Sequence, residues 1–328
     1  MEEKTLPFAF LKEDEYLQVM ESECAAWLDA CVHTEDFKSF DGVRLRGYYG
    51  IPQDAKACVV MVHGFCEFFG KYHEMAWYLY RAGYAFFFLE QRGHGFSGGK
   101  LLEADVVHID DFSVYVEDLR AFLDEVVDRH SGGLQKTLFG HSMGGAVSAL
   151  FLETYPDVFD RVLFSSPMFA LKKLKLGRPV CSLLRFAAKA AHRLKTLAPA
   201  EHYFDEMEAF DTSSMLSRAH YDYMFALRMK EVHNRSYGAS LGWALAAADA
   251  MRLLNLHADR ITIPVTIFSA GRDGLVDING FEVFRKKVPQ TRIIHYENAK
   301  HELCNALDEE RLRFYGDLFR ILEEQIAS

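Results

Sequence analysis

Short, continuous apolar runs alternate with helix-forming segments through most of this 328-residue chain, and few architectures accommodate that pattern. The runs are Ala57–Val62, Tyr84–Leu89, Thr137–Phe139, Arg161–Phe164, Val265–Phe268 and Arg292–Tyr296. A strand with no polar alternation is buried on both faces, as in a parallel sheet covered by helices. The segments between them suit that covering. In the helix expected after the tandem Asp110-Asp111 cap, Phe112, Tyr115, Val116, Leu119, Phe122, Leu123, Val126 and Val127 fall on one face. An Asp41-Gly42 turn between residues 32–40 and 43–51 predicts a hairpin ahead of the parallel part. The fold class expected is α/β, with a mostly parallel central sheet and helices on both faces.

The alternation breaks near Pro167 and resumes near Leu241. Between Met168 and Pro199 there are eight lysines and arginines and no acidic residue, in a chain whose net charge is −10. The rest of the sequence therefore carries −18, and this stretch is an electrostatic island. We read residues 168–239 as an inserted helical cap. Residues 1–167 then form the first part of the core, with an N-terminal extension over 1–30, and residues 240–328 form the second part. Near the C-terminus, Asp308 is expected to cap the last helix, with Leu307 packing on Leu312. The acidic balance disfavours nucleic acid as a partner. No apolar run reaches the length of a membrane span, and no apolar leader follows the acidic Met1-Glu2-Glu3-Lys4. The six cysteines lack disulfide or zinc spacing, which suits reduced thiols and a cytoplasmic location.

Gly140-His141-Ser142-Met143-Gly144 lies between the Thr137–Phe139 run and an alanine- and leucine-rich helix. A serine on such a turn projects its hydroxyl beside a helix N-terminus. Asp273 and His301 also follow strands, at the edge where parallel sheets place their sites. The order serine, aspartate, histidine is that of α/β-hydrolases. A serine hydroxyl is a weak nucleophile near neutral pH, so His301 would take its proton while Asp273 orients the imidazole. The oxyanion would be met by the backbone N–H groups of Met143 and Phe65. Asp277 is the rival to Asp273 and is read as a helix cap. His63, His94 and His141 are read as residues that brace the loops. No metal or cofactor is implied.

The segments HGFCEFFGKY (63–72), QRGHGFSGG (91–99), GHSMGG (140–145), SAGRDGLVD (269–277) and NAKHE (298–302) resemble the monoacylglycerol lipase and bacterial lysophospholipase group of α/β-hydrolases. That group is often placed with serine aminopeptidase-like hydrolases. The resemblance runs from about residue 30 to the C-terminus and implies Ser142, Asp273 and His301 as triad, with Phe65 and Met143 as oxyanion donors. Two departures bear on substrate shape. The usual H-G-x-G-E-H becomes His63-Gly64-Phe65-Cys66-Glu67-Phe68, and the aspartate usual before the Arg-Gly-His-Gly loop is replaced by Glu90-Gln91. Cys66, Phe68 and Met168 are the substrate-binding candidates, and the first two would make the entrance more apolar.

The expected activity is hydrolysis of carboxylic esters of single-chain lipids through an acyl-enzyme on Ser142. Over residues 182–197, Leu184, Ala187, Ala188, Ala191 and Leu194 share one helical face, while Arg185, Lys189 and Arg193 form a basic stripe. This pattern suits peripheral contact with an anionic membrane, as it also suits a solvated helix packed on the core. An aminopeptidase would need acidic groups to hold a substrate ammonium, and Glu201, Asp205, Glu206, Glu208 and Asp211 could supply them. A non-catalytic ligand-binding protein on the same fold is the third reading.

Overall fold

The structure is a computed structural model and describes residues 6–101, 106–174, 177–199, 201–204 and 209–326. Two short helices, α1 (Tyr16–Val19) and α2 (Ala25–Cys31), precede the hairpin of β1 (His33–Lys38) and β2 (Arg44–Gly50). The alternating part follows with β3 (Cys58–Val62), α3 (His73–Arg81) and β4 (Ala85–Glu90). After these come α4 (Ser113–Phe122), α5 (Asp128–His130), β5 (Lys136–His141), α6 (Met143–Thr154) and β6 (Arg161–Ser165). The segment between β6 and the next strand contains α7 (Arg178–Ala190), α8 (Arg218–Lys230) and α9 (Leu241–Leu253). The chain ends with β7 (Val265–Ala270), α10 (Asn279–Lys287), β8 (Thr291–Tyr296) and α11 (Asp308–Ile326).

The eight strands form one sheet in the order β1-β2-β4-β3-β5-β6-β7-β8. β1 and β2 pair antiparallel, β2 joins β4 antiparallel, and every later pairing is parallel. From β3 the chain moves outward to β4, then crosses back to place β5 on the other side of β3. The sheet therefore has its topological switch between β3 and β5, and the loops leaving these strands diverge there.

Side-chain alternation explains the continuous apolar runs. Val60, Val62, Phe87, Leu89 and Leu138 face the layer of α4, α6, α9 and α10. Their neighbours Val59, Met61, Phe86, Phe88 and Phe139 face α3, α11 and the N-terminal segment. Both faces need apolar residues, so no polar alternation survives. The eight apolar residues expected on one face from Phe112 to Val127 are all buried. The N-cap of α4 is Phe112 rather than an aspartate, and Asp111 accepts the Ser113 N–H at 2.8 Å from one residue earlier.

The N-terminal segment is tied down by a buried ion cluster. Glu74 of α3 accepts from Arg311 at 2.9 Å and Tyr315 at 3.0 Å, both on α11, and from Tyr78 at 2.9 Å. His220 of α8 meets the same carboxylate at 3.0 Å. Arg311 also donates to the Leu11 carbonyl at 2.8 Å and to Asp308 at 2.6 Å. Burial works to raise the Glu74 pKa, but His220, Arg311 and Tyr78 outweigh it and the group is lowered. The expected staple at the start of α11 is not formed: Leu307 is 54% exposed, and Asp308 instead receives the Glu13 N–H at 3.1 Å.

Arg311→Met would leave Glu74 buried without its arginine partner, facing His220 alone among cations. Loss of one partner from such a pair costs about 3–5 kcal/mol. Urea denaturation should show a drop of that size, and a change under about 1 kcal/mol would refute the role given to the cluster.

Candidate active site

Ser142 follows β5 and initiates α6, with φ 50° and ψ −118°. Few non-glycine residues adopt that backbone conformation. Main-chain bonds hold it. The Ser142 N–H donates to the Ser165 carbonyl at 3.0 Å, and its own carbonyl accepts from Gly145 at 2.9 Å and Met168 at 2.8 Å. The glycine at 144 is required by proximity: a Cβ there would lie 2.1 Å from the Val62 oxygen and 2.5 Å from the His63 oxygen.

His301, in the loop after β8, places Nε2 2.9 Å from Ser142 Oγ. Its Nδ1 lies 2.7 Å from Asp273 Oδ2, in the loop after β7. The other Asp273 oxygen accepts the N–H groups of Leu275 at 2.8 Å and Val276 at 2.9 Å. Burial works to raise the Asp273 pKa. The hydrogen bond and charge of His301, with the two N–H donors, outweigh it and hold the carboxyl below its ordinary value. Asp277, the rival acid, instead accepts the Asn279 N–H at 3.1 Å at the start of α10.

Phe65 lies in the turn after β3, and Met143 is the first residue of α6. The close approach at Gly144 brings these two turns into contact on the same edge of the sheet. The Phe65 ring packs on Trp243 at 4.2 Å and meets His94 edge-on at 6.0 Å. Two of the substrate-binding candidates are less accessible than a binding role suggests. Phe68 is 2% exposed and packs with Met215, Tyr221 and Met224, and Met168 is 3% exposed in the core. Cys66 is partly exposed at φ 59°, a left-handed conformation that suits the glycine of the usual motif. Its carbonyl accepts Arg228 at 2.9 Å.

The three other histidines brace the loops. His63 Nε2 accepts the Gln91 N–H at 3.0 Å, while its Nδ1 meets the Gly64 carbonyl at 2.7 Å. His94 Nδ1 meets the Arg92 carbonyl at 3.0 Å, and His141 Nδ1 meets the Ser165 carbonyl at 3.0 Å. Burial pushes His63 and His141 down to about 4, and His94 well below its usual value. All three are therefore neutral near pH 7. Among the described residues no group of three histidine, cysteine, aspartate or glutamate side chains could hold a metal ion.

One feature of the site escaped the sequence. Glu67, Lys71 and Glu302 form a buried ion triad behind His301. Only the i,i+4 spacing of Glu67 and Lys71 is visible in the sequence. Of the acidic residues weighed for an ammonium site, Asp205, Glu206 and Glu208 lie outside the described residues. Glu201 accepts the Ala239 N–H at 3.2 Å.

An eight-stranded, mainly parallel sheet covered on both faces, with its polar cluster at the strand C-termini, is the α/β-hydrolase fold. Solved esterases and lipases share it. A carboxyl esterase from Bacillus coagulans superposes with a TM-score of 0.73 at 15% identity, over 90% of this chain and 99% of that one. A soluble variant of monoglyceride lipase from Saccharomyces cerevisiae gives 0.70 at 18% identity, over 89% and 94%. Within that fold, the sequence matches the family described as Serine aminopeptidase, S33, over residues 53–308, and the chain belongs to this family. Lysophospholipase L2 of Escherichia coli K12 is 33% identical over 136 residues, which are 42% of this chain and only 40% of that protein. A monoacylglycerol lipase of Mycolicibacterium smegmatis is 26% identical over 83% of this chain and 91% of its own length.

Glu90 gives the glycine loop that follows β4 a measurable pH signature. Its carboxyl accepts the Phe96 N–H at 2.7 Å and lies so close to Gly95 that a Cβ there would fall 2.0 Å from it. Burial raises its pKa from 4.5 to about 7, against the Phe96 and Phe69 N–H groups. The folded value lies above the unfolded one, so the stabilising contribution is complete below pH 4.5 and is lost as pH rises through about 7. Glu90→Gln should remove this dependence, worth about 3 kcal/mol, from urea midpoints measured at about pH 5, 6, 7 and 8. Parallel pH profiles for the two proteins would refute it.

Proposed function

We propose that the protein is a serine ester hydrolase acting on carboxylic esters of single-chain lipids, with Ser142, His301 and Asp273 as its triad. The observation that carries this reading is the unbroken hydrogen-bonded line from Ser142 through His301 to Asp273, built on a serine at positive φ. The relatives named lysophospholipase and monoacylglycerol lipase support the substrate class.

In the mechanism, Ser142 Oγ attacks the ester carbonyl as His301 Nε2 takes its proton. The imidazolium is stabilised by Asp273 across Nδ1. The N–H groups of Phe65 and Met143 stabilise the oxyanion. Collapse breaks the bond to the alcohol, which leaves with the proton from His301, and the acyl group stays on Ser142. Water then gives a proton to His301 and attacks the acyl carbon. Ser142 departs as the leaving group, regains its proton, and the carboxylic acid is released.

We assign residues 168–239 as the cap that selects substrate, and α7 as its contact with an anionic lipid surface at the cytoplasmic side. Of the apolar face read in the sequence, Ala188 is buried and Leu194 packs against α9, while the rest turns outward. Cys181 packs with Leu245 and Ala248 of α9, Ala188 is buried as well, and half-buried Arg185 pairs with Asp249. Leu184, Ala187 and Ala191 are exposed. Leu183 and Phe186 stand outward at 68% and 74% exposure, on a helix that also carries exposed Arg178 and Lys189. Apolar side chains inside a basic surround match the lipid interface in both polarity and charge. No helix among the described residues is long and apolar enough to cross a membrane.

A panel of monoacylglycerols, lysophospholipids, short p-nitrophenyl esters and aminoacyl anilides tests the chemistry. Esters should be cleaved, with Ser142→Ala lower by at least about a thousandfold and Asp273→Asn by about a hundredfold or more. Turnover of the anilides alone would favour the peptidase. Equal rates for wild type and Ser142→Ala would leave only a binding protein. Vesicle cosedimentation tests the surface: Phe186→Glu should weaken binding to anionic vesicles about tenfold, from the loss of one buried aromatic. Equal wild-type binding to neutral and anionic vesicles would rule out the electrostatic part.

A further inference from the structure

Lys71 follows β3 in a short 3₁₀ turn, Phe69–Tyr72, and its side chain is 7% exposed. Its ammonium lies 2.5 Å from Glu67 Oε1 and 2.8 Å from Glu302 Oε2, on carboxylates nearly as buried. The two glutamates belong to different loops. Glu67 closes the turn that carries Phe65: its Oε2 accepts the Gly64 N–H at 2.6 Å and the Tyr72 hydroxyl at 2.5 Å. Glu302 is the residue after His301, and its Oε2 also accepts from Asn305 at 2.9 Å. Lys71 is thus the shared cation between the oxyanion turn and the loop of the base.

Resting on the serine hydrolase reading above, we infer that Lys71 is a positioning residue for the reaction, fixing the Phe65 N–H and the His301 imidazole relative to one another. Stability alone is a poor reason for this arrangement, because burying three charges costs several kcal/mol per ion and apolar residues of similar volume often do as well. What an ion triad supplies is direction. Glu67 Oε2 is committed to the oxyanion turn, so only its other oxygen and Glu302 are left to receive the ammonium. The separation of the two loops is thereby set by one side chain. His141 lies alongside, with Nε2 3.4 Å from Glu67 Oε1 and its ring 5.0 Å from that of His301. Burial opposes the charges on Lys71 and Glu67, yet each is held in its ionised form by its partners. A misplacement of about 1 Å between donor and base is enough to cost about a hundredfold in rate.

The test uses the whole chain with a soluble p-nitrophenyl ester, measuring kcat and KM beside the thermal midpoint of each variant. Lys71→Met should lower kcat by about ten- to a hundredfold with KM within about threefold, while the protein remains folded at the assay temperature. Lys71→Arg, which can still bridge two carboxylates, should recover most of kcat. Glu302→Gln keeps the Lys71–Glu67 pair and weakens only the link to the base, so it should lower kcat in the same way and serves if Lys71→Met does not fold. A kcat within about twofold of wild type in Lys71→Met or Glu302→Gln overturns the inference. So does a loss fully accounted for by the unfolded fraction. These outcomes are separate from failure of the hydrolase reading, which would appear as equal rates for wild type and Ser142→Ala.

Discussion

The turn between β5 and α6 lies so close to the end of β3 that no side chain fits between them. A Cβ on Gly144 would fall 2.1 Å from the Val62 oxygen. That contact dictates the rest of the site. It forces the chain to reverse over a single residue, and Ser142 takes the positive φ that the reversal demands. Such a conformation costs about 1–3 kcal/mol and persists only where neighbours over-determine it. Here the neighbours are four main-chain bonds, to Ser165, Gly145, Ala146 and Met168. The same contact fixes the start of the next loop on β3, so the turn holding Phe65 has little choice of position relative to the serine.

The strands are held by apolar packing, but the loops at their C-termini also carry polar backbone and polar side chains that need partners of their own. Buried carboxylates do that work. Asp118 of α4 accepts from Arg92 at 2.9 Å, and Arg92 reaches Asp41 in the hairpin at 2.6 Å. Glu67 and Glu302 meet on Lys71, and Glu74 gathers α3, α8 and α11. Each cluster joins elements far apart in sequence, and each would leave a desolvated charge if one member were lost. The loops at this edge are therefore held stiffly, as a preorganised set of donors requires.

This division of labour explains what could be read from residues alone. Strand runs, helix faces and the order of Ser142, Asp273 and His301 are local patterns that the topology gathers at one edge, and they survive without tertiary detail. The ion clusters do not, because Lys71 and Glu302 or Glu74 and Arg311 meet only after the sheet has formed. Leu307 and Asp308 looked like a staple and cap, but the Asp308 carboxylate receives the Glu13 N–H and Arg311, and Leu307 is exposed. In α7 the heptad spacing fits more than one face. Its partner α9 selected Cys181 and Ala188, which puts Leu183 and Phe186 outside. Phe68, which reads as an entrance residue, is instead taken up by an aromatic and methionine cluster with Tyr221 and Met224.

The segment between β6 and β7 is anchored unevenly. α8 is bound by polar groups at its start: Ser217 and Ala219 bond to Glu13 at 2.5 and 2.9 Å, and the N–H groups of Leu216 and Ser217 reach the Asn305 carbonyl. Since Asn305 also bonds to Glu302, that end of the segment is continuous with the loop of His301. α7 buries only Cys181 and Ala188, and is tethered by Arg185, which reaches Asp249 and the Asp110 carbonyl, and by Arg252, which donates to Cys181 Sγ. Local opening costs least where few apolar contacts are broken. Displacing α7 from α9 therefore demands less than displacing α8, which would disturb the loop that carries His301. The helix that turns Leu183 and Phe186 to solvent is thus also the less firmly anchored of the two.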